Sequence, residues 1–273
     1  MKRIAVISDP QINRKQASFQ KQYDCLRRCF ENMNVDSVIV CGDITENADV
    51  EEWNIFFKAF DQHCQTENLF LVPGNMDRVE QQTGRLAYDI ALKSHFNSCL
   101  DTLYIMHETD SCILFGIAVE RDDDDHPMSD LQLTRLAESL RIAAERGIPA
   151  IVFGHYILDG TIQTNWEYAN LGPQSSAIRN LFEQLGGTVV YFSGHIHRGL
   201  MKAPGYTVAK INGVTYVSTP SICHPDKEHY KADNDNPGTG FLIELDQNSF
   251  QLKGYDFLND EYLEDFDWTL QYV

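Results

Sequence analysis

The sequence predicts an α/β fold. Short apolar runs of strand length alternate with stretches of helical periodicity between residues 4 and 192, the pattern of parallel strands joined by helices. Five of those runs lead into an Asp, Asn or His, and in open α/β sheets ligands bind beyond the carboxyl ends of the strands. After His197 the helical periodicity stops and strand patterns take over.

Ile4–Ile7 is a β-branched apolar run closed by Ser8-Asp9-Pro10, hence a first strand. Phe19, Tyr23, Leu26, Phe30 and Met33 step by four, three, four and three, which makes one apolar helix face. Val38–Cys41 is the second strand, closed by Gly42-Asp43. Asn47 to Asp49 cap a helix whose face is Val50, Trp53, Phe56, Phe57 and Phe60. Leu69–Val72 is the third strand, stopped by Pro73-Gly74-Asn75. Residues 80–100 read as partly helical, with Leu86, Ile90 and Leu92 as core candidates, and Cys112–Val119 as a strand.

Ser129-Asp130-Leu131-Gln132 has the form of a capping box. It opens a helix to about Arg146, with Leu133, Leu136, Leu140 and Ala144 inward and Gly147 as the stop. Ala150–Phe153 is a strand ending at Gly154-His155. Ser175–Leu185 is a helix, and Val189–Phe192 is the strand that leads to Ser193-Gly194-His195-Ile196-His197. The later strands are Val208–Ile211, Val214–Ser218, Phe241–Leu245 and Phe250–Gly254. The polar stretch 224–239 reads as a mobile surface loop. No repeat, linker or boundary divides the chain, so residues 1–273 are expected to form a single domain.

Composition excludes several function classes. A net charge of −18 argues against a nucleic-acid backbone as partner, since that binding needs a positive footprint. It leaves room for a small anionic substrate, because bound cations invert the sign of a pocket locally. No apolar run reaches the ~20 residues of a membrane span, and Met1-Lys2-Arg3 runs straight into the first strand rather than a signal core. The seven cysteines are odd in number and form no C-x-x-C pair, which favours free thiols and a cytoplasmic protein. Nothing in the sequence sets the oligomeric state.

The chemistry collects at the strand ends. The five runs deliver Asp9 and Gln11, then Asp43, then Asn75, then His155, then His195 and His197. One strand-end Asp is ordinary turn chemistry, but seven oxygen and nitrogen donors at five strand ends suggest a metal site. Residues i and i+2 of an extended chain point the same way, so His195 and His197 are expected to face one pocket. The acidic run Asp122–Asp125 reads as a solvated loop.

In order, Asp9-x-Gln11, Gly42-Asp43, Gly74-Asn75-Met76-Asp77, Gly154-His155 and Gly194-His195-x-His197 resemble the motifs of the calcineurin-like metallophosphoesterase superfamily. The resemblance implies a four-layer sandwich of two mixed β-sheets flanked by helices. It also implies two divalent metal ions bridged by Asp43. Asp9, Gln11 and His197 would complete the first site, and Asn75, His155 and His195 the second. Water held between the ions would then attack phosphorus in line.

Two positions depart from the family pattern. Gln11 stands where the family has a His; its amide oxygen is neutral and harder than imidazole, so the first site should bind more weakly and lean towards Mn or Mg over Zn, with Fe also possible. Met76 stands where many members have a His that contacts phosphate, and a thioether donates no proton. Arg78 is a candidate for phosphate contact, alongside Asn75. The stretch Ser129–Leu133 is similar to the helix start of the branch containing cyclic-nucleotide phosphodiesterases. The expected function is therefore a dimetal phosphohydrolase of a small phosphate ester, a diester rather than a monoester. The competing reading is an inactive relative that uses the fold for binding or scaffolding.

Overall fold

Two six-stranded sheets carry the fold, in a computed structural model that describes residues 1–78, 90–92, 95, 104–120, 127–166, 169–185, 187–225, 231–247 and 249–270. The first sheet contains β1 (Lys2–Ile7), β2 (Ser37–Val40), β3 (Leu69–Leu71), β10 (Thr239–Leu245), β11 (Phe250–Asp256) and β12 (Glu261–Leu270). Its order is β12-β11-β10-β1-β2-β3. β1, β2 and β3 run parallel, and β10 joins antiparallel to β1. The second contains β4 (Ile105–Glu108), β5 (Ile113–Gly116), β6 (Ala150–Phe153), β7 (Val189–Ser193), β8 (Val208–Ile211) and β9 (Val214–Ser218). Here the order is β4-β5-β6-β7-β9-β8, parallel in the middle and antiparallel at both edges.

Alternate residues of each strand serve different layers. Ile4, Val6, Ile39 and Cys41 of the first sheet share one core with Leu114, Ile151, Phe153, Val190 and Phe192 of the second. Their neighbours Ala5, Ile7, Val38 and Val40 pack instead against α1 (Phe19–Asn32) and α2 (Val50–His63), through Leu26, Phe30, Trp53 and Phe56. On the far side, Phe115, Val152 and Tyr191 pack against α3 (Asp130–Arg146) and α4 (Gln174–Gln184), through Leu136, Leu140, Ile178 and Phe182. The result is helix, sheet, sheet, helix, as the resemblance implied. Burial on both faces explains why the central strands are continuously apolar rather than alternating.

Several expectations need correcting. The Ser129 side chain does accept from the Gln132 N–H, at 3.2 Å, and Gly147 closes α3 with φ 61°. Gln132, however, does not complete a capping box: its amide bonds the N–H and C=O of Ala118, both at 2.9 Å. The Ser129 N–H goes to Glu120 at 2.7 Å instead. Leu92 is buried, but Ile90 is 45% exposed, and Leu86 lies outside the described residues, as do Asp122–Asp125.

The described part of the 224–239 stretch is anchored rather than loose: Leu200 and Asn234 exchange backbone hydrogen bonds at 2.7 and 3.0 Å. β4 and β12 had no sequence prediction. Both are edge strands that carry charged or polar residues among their apolar ones, His107 and Glu108 in β4 and four carboxylates in β12, which mimic a solvated loop and also guard an edge against foreign pairing. Among the described residues no helix is long and apolar enough to cross a membrane.

Candidate metal centre

Parallel β1, β2 and β3 end side by side, and so do β6 and β7 in the facing sheet. Directly beyond these ends come Asp9, Gln11, Asp43, Asn75, His155, His195 and His197. Five of them adopt left-handed backbone: Asp9 (φ 49°), Gln11 (41°), Asp43 (50°), His195 (73°) and His197 (49°). That region is costly for residues with a Cβ, and such outliers gather at functional sites. Hydrogen bonds between the loops hold the conformations: Asp9 N–H to Gly42 C=O at 3.1 Å, Gln11 N–H to Asp43 C=O at 2.9 Å, and Gly194 N–H to His155 C=O at 2.9 Å.

This backbone corrects the expectation for the two histidines. β7 stops at Ser193, so His195 and His197 sit in a turn, not on one side of an extended strand. They consequently diverge. Asp43, His155 and His195 form one donor group, and Asp9, Asp43 and His197 another, with the donor atoms of each within 4.8 Å of one another. Asp43 belongs to both.

The chemistry of the first of these groups fits a cation. His155 Nδ1 lies 2.8 Å from the Cys41 carbonyl, so it must donate there. A neutral ring then turns its Nε2 lone pair inward, the usual way an outer partner fixes the tautomer of a ligating His. Around that nitrogen are Asn75 Oδ1 at 3.0 Å, His195 Nδ1 at 3.1 Å and Asp43 Oδ2 at 3.3 Å. Donors bound at about 2.1 Å to one metal are separated by roughly 3.0–3.4 Å in octahedral or tetrahedral shells, which matches. In the other group His197 Nε2 lies 3.1 Å from Asp9 Oδ1.

Charge follows the same grouping. Burial pulls the His155 pKa down, but Asp43 and Asp9 outweigh it and hold it up to about 9. Burial also opposes charge on Asp9 and His197, yet each keeps the other charged: Asp9 is lowered and His197 raised. Asp77 is driven up to about 7 by burial and then by Asp43.

Close approach of the loops depends on two glycines. A Cβ on Gly194 would stand 2.6 Å from Asp9 Oδ2 and 3.0 Å from the Cys41 carbonyl. One on Gly74 would stand 2.8 Å from Asp43 Cγ.

The remaining predicted residues lie on the same loops. Gln11 is half-buried in the loop that carries Asp9, with its carbonyl taken by the Gln22 amide. Arg78 ends a 3₁₀ turn, Met76–Arg78, and donates its N–H to the Asn75 carbonyl at 3.1 Å. Asp77, to which the sequence assigned no definite role, is a tie. It accepts from Ile44 N–H (3.1 Å), Thr45 N–H (2.8 Å), Thr45 Oγ1 (2.9 Å) and Gly74 N–H (2.9 Å), binding the Asp43 loop to the Asn75 loop.

Other neighbours escaped sequence reasoning. Trp166 stacks on His195 with centroids 4.7 Å apart, and Tyr156 meets both His155 and His195 edge-on. Nothing in their local pattern marks them, because the loop brings them in. Ser221, just after β9, donates to the Asp9 carbonyl at 2.7 Å. His224 is close enough for the His197 charge, after burial, to lower its pKa. His229 lies outside the described residues.

The sequence profile of the calcineurin-like phosphoesterases matches residues 2–199. The chain belongs to that family. Among solved structures, this calcineurin-like phosphoesterase superposes on a dimetal phosphatase from Danio rerio with a TM-score of 0.69 at 14% identity, over 100% of this chain and 99% of that one. It superposes on a purple acid phosphatase from seeds of yellow lupin (Lupinus luteus) with a TM-score of 0.70 at 12% identity, over 99% of this chain and 53% of the lupin one. At these identities the likeness is one of fold. No curated protein matches the chain. Members of the calcineurin-like family hold two divalent metals, and among its described residues this member presents two candidate donor groups for them.

Proposed function

We propose that the chain is a dimetal-dependent phosphohydrolase of a small phosphate ester, favouring diesters over monoesters. The observation that carries this reading is the sharing of Asp43 between two donor groups, because a single bridging carboxylate sets two cations side by side. Asp9, Gln11, Asp43 and His197 would hold one ion, and Asp43, Asn75, His155 and His195 the other. Manganese suits a set rich in oxygen donors, with Fe, Zn and Mg as alternatives. Such a pair of ions supplies grips for phosphate oxygens, offsets developing negative charge and acidifies a water.

The chain's own groups prepare the site. Cys41 orients His155 through its carbonyl, and Asp77 keeps the Asp43 and Asn75 loops in register. Arg78, on the turn after Asn75, offers the guanidinium for an ester oxygen. Preference for a diester rests on Met76, which cannot protonate a leaving group. The likeness of Ser129–Leu133 to a phosphodiesterase branch lends no further support, since Gln132 is engaged with Ala118. With a net charge of −18, a small cytoplasmic substrate fits better than nucleic acid, and residues 1–273 fit one domain.

The test is metal-stripped protein reloaded with Mn, Mg, Zn or Fe(II) and offered bis(p-nitrophenyl) phosphate and p-nitrophenyl phosphate. Faster turnover of the diester supports the reading. Folded, metal-loaded protein that turns over neither ester with any metal supports the second reading, a binding or scaffold protein. Gln11 and Met76 are the residues that favour that alternative.

A further inference from the structure

Three thiols meet outside the metal centre. Cys25 and Cys29 lie one turn apart on α1, and Cys223 follows β9. Cys25 lies close enough to Cys223 and to Cys29 for both to shift its acidity. Two longer contacts place the pair across the same seam: Cys25 Sγ lies 3.8 Å from the Ile222 carbonyl, and Cys223 Sγ 3.9 Å from the Gln22 carbonyl. All three cysteines are free; Cys29 and Cys223 are buried and Cys25 is half-buried.

Geometry selects the partner. Residues four apart on a helix hold their Cβ atoms about 5–6 Å apart, whereas a disulfide needs roughly 3.5–4.5 Å. Cys25 and Cys29 therefore cannot join without breaking α1. Cys223 lies outside regular structure and is bound by no such helical spacing. We propose that Cys25 and Cys223 are a peroxide-sensitive thiol pair that closes into a disulfide joining α1 to the segment after β9.

The protonation pattern suits the chemistry. The neighbouring Cys223 and Cys29 bring the Cys25 thiol down to about 4 against its burial, with His224 and Arg28 adding to the effect. Cys223 is raised well above its ordinary value, first by Cys25 and then by burial. The thiol that ionises more readily thus sits beside one that holds its proton. The Cys25 thiolate attacks one oxygen of hydrogen peroxide, breaking the O–O bond and giving a sulfenic acid and hydroxide. The Cys223 sulfur then attacks the Cys25 sulfur. The S–S bond forms, the S–O bond breaks, and the departing hydroxyl takes the Cys223 proton and leaves as water. Two thiols are oxidised by two electrons, and the peroxide is reduced to two oxygens at the level of water.

The test is peptide mapping by mass spectrometry, without reduction, after reduced protein is treated with stoichiometric peroxide. The expected result is a dominant peptide pair linking Cys25 to Cys223, released by dithiothreitol. It should be absent from Cys223→Ala and from Cys25→Ser. The proposal is overturned if Cys25 remains a thiol, if it stops at sulfinic acid without a cross-link, or if it pairs with any other cysteine. Mapping of the unmodified chain decides the matter even if a variant fails to fold, and it involves no turnover, so it stands apart from the metal-centre reading.

Discussion

The backbone N–H of His195 donates to both carboxylate oxygens of Asp9, at 3.2 and 3.1 Å. A residue of one donor group is thus held by a residue of the other, across the seam between the sheets. Damage to either group should therefore reach its neighbour, most of all at the shared Asp43.

Asp43→Ala removes the residue common to both groups. It should cost turnover at least about 100-fold and deplete both metals, a larger effect than the 10–100-fold typical of outer partners. Metal analysis beside a diester assay checks this, and retained turnover would refute the dimetal reading. Asp9→Ala should deplete chiefly the group containing His197.

Gln11→His places an imidazole where the first group has an amide. Zinc should gain on the order of tenfold in affinity over manganese, since nitrogen ligands favour zinc in this series. Competition titrations on metal-stripped protein measure the ratio; an unchanged ratio would mean that residue 11 does not ligate.

Metal binding should release protons. In the metal-free protein His155 is protonated below about 9 and Asp77 below about 7, and a cation at Asp43 disfavours both protons. Apparent affinity should rise with pH, by up to about tenfold per unit for each proton displaced. Calorimetry in two buffers of different ionisation enthalpy counts the protons, and a pH-independent affinity between 6 and 9 would contradict the assignment.

The same shifts set metal-free stability. Both folded values lie above their unfolded ones, so each contribution is complete below the unfolded value and lost as pH rises through the folded value. For Asp77 that window runs from 3.8 to about 7, and for His155 from 6.5 to about 9. On these terms the Tm of the stripped protein should fall from pH 4 to pH 9.

Asp77→Ala strands the N–H groups of Ile44, Thr45 and Gly74, which are now paired with its carboxylate. Buried donors left unpaired cost about 1–3 kcal/mol each before relaxation, so a loss of roughly 3 kcal/mol or more is expected in urea unfolding. Metal affinity should fall with it, because the Asp43 and Asn75 loops lose their tie.

Much of this was legible in residue order. Parallel strands buried on both faces leave unbroken apolar runs, and Asp9, Asp43, Asn75, His155 and His195 stand out because each follows one. Helix faces such as Trp53, Phe56 and Phe60 were legible for the same reason, since the period repeats. What stayed hidden depends on the third dimension. Asp77 acts through backbone groups that carry no side-chain signature, and Trp166 reaches His195 by the course of a loop. β12 was invisible because its Glu261, Glu264, Asp265 and Asp267 suit an edge in water as well as a turn. The split between His195 and His197 is implied by the family's motif order and by no hydropathy pattern, and two positive φ angles produce it.

The donor groups also have a mechanical meaning. Asp9 and Asp43 come from one sheet and His155, His195 and His197 from the other, so neither sheet owns a complete set. An ion seated among them would act as a rivet through the two halves, resisting shear that the apolar layer between them, being non-directional, opposes only weakly. Loading would then tighten the whole sandwich by mass action. Amides of β6 and β7, which are paired with a neighbouring strand on each side, should exchange more slowly once the rivets are in.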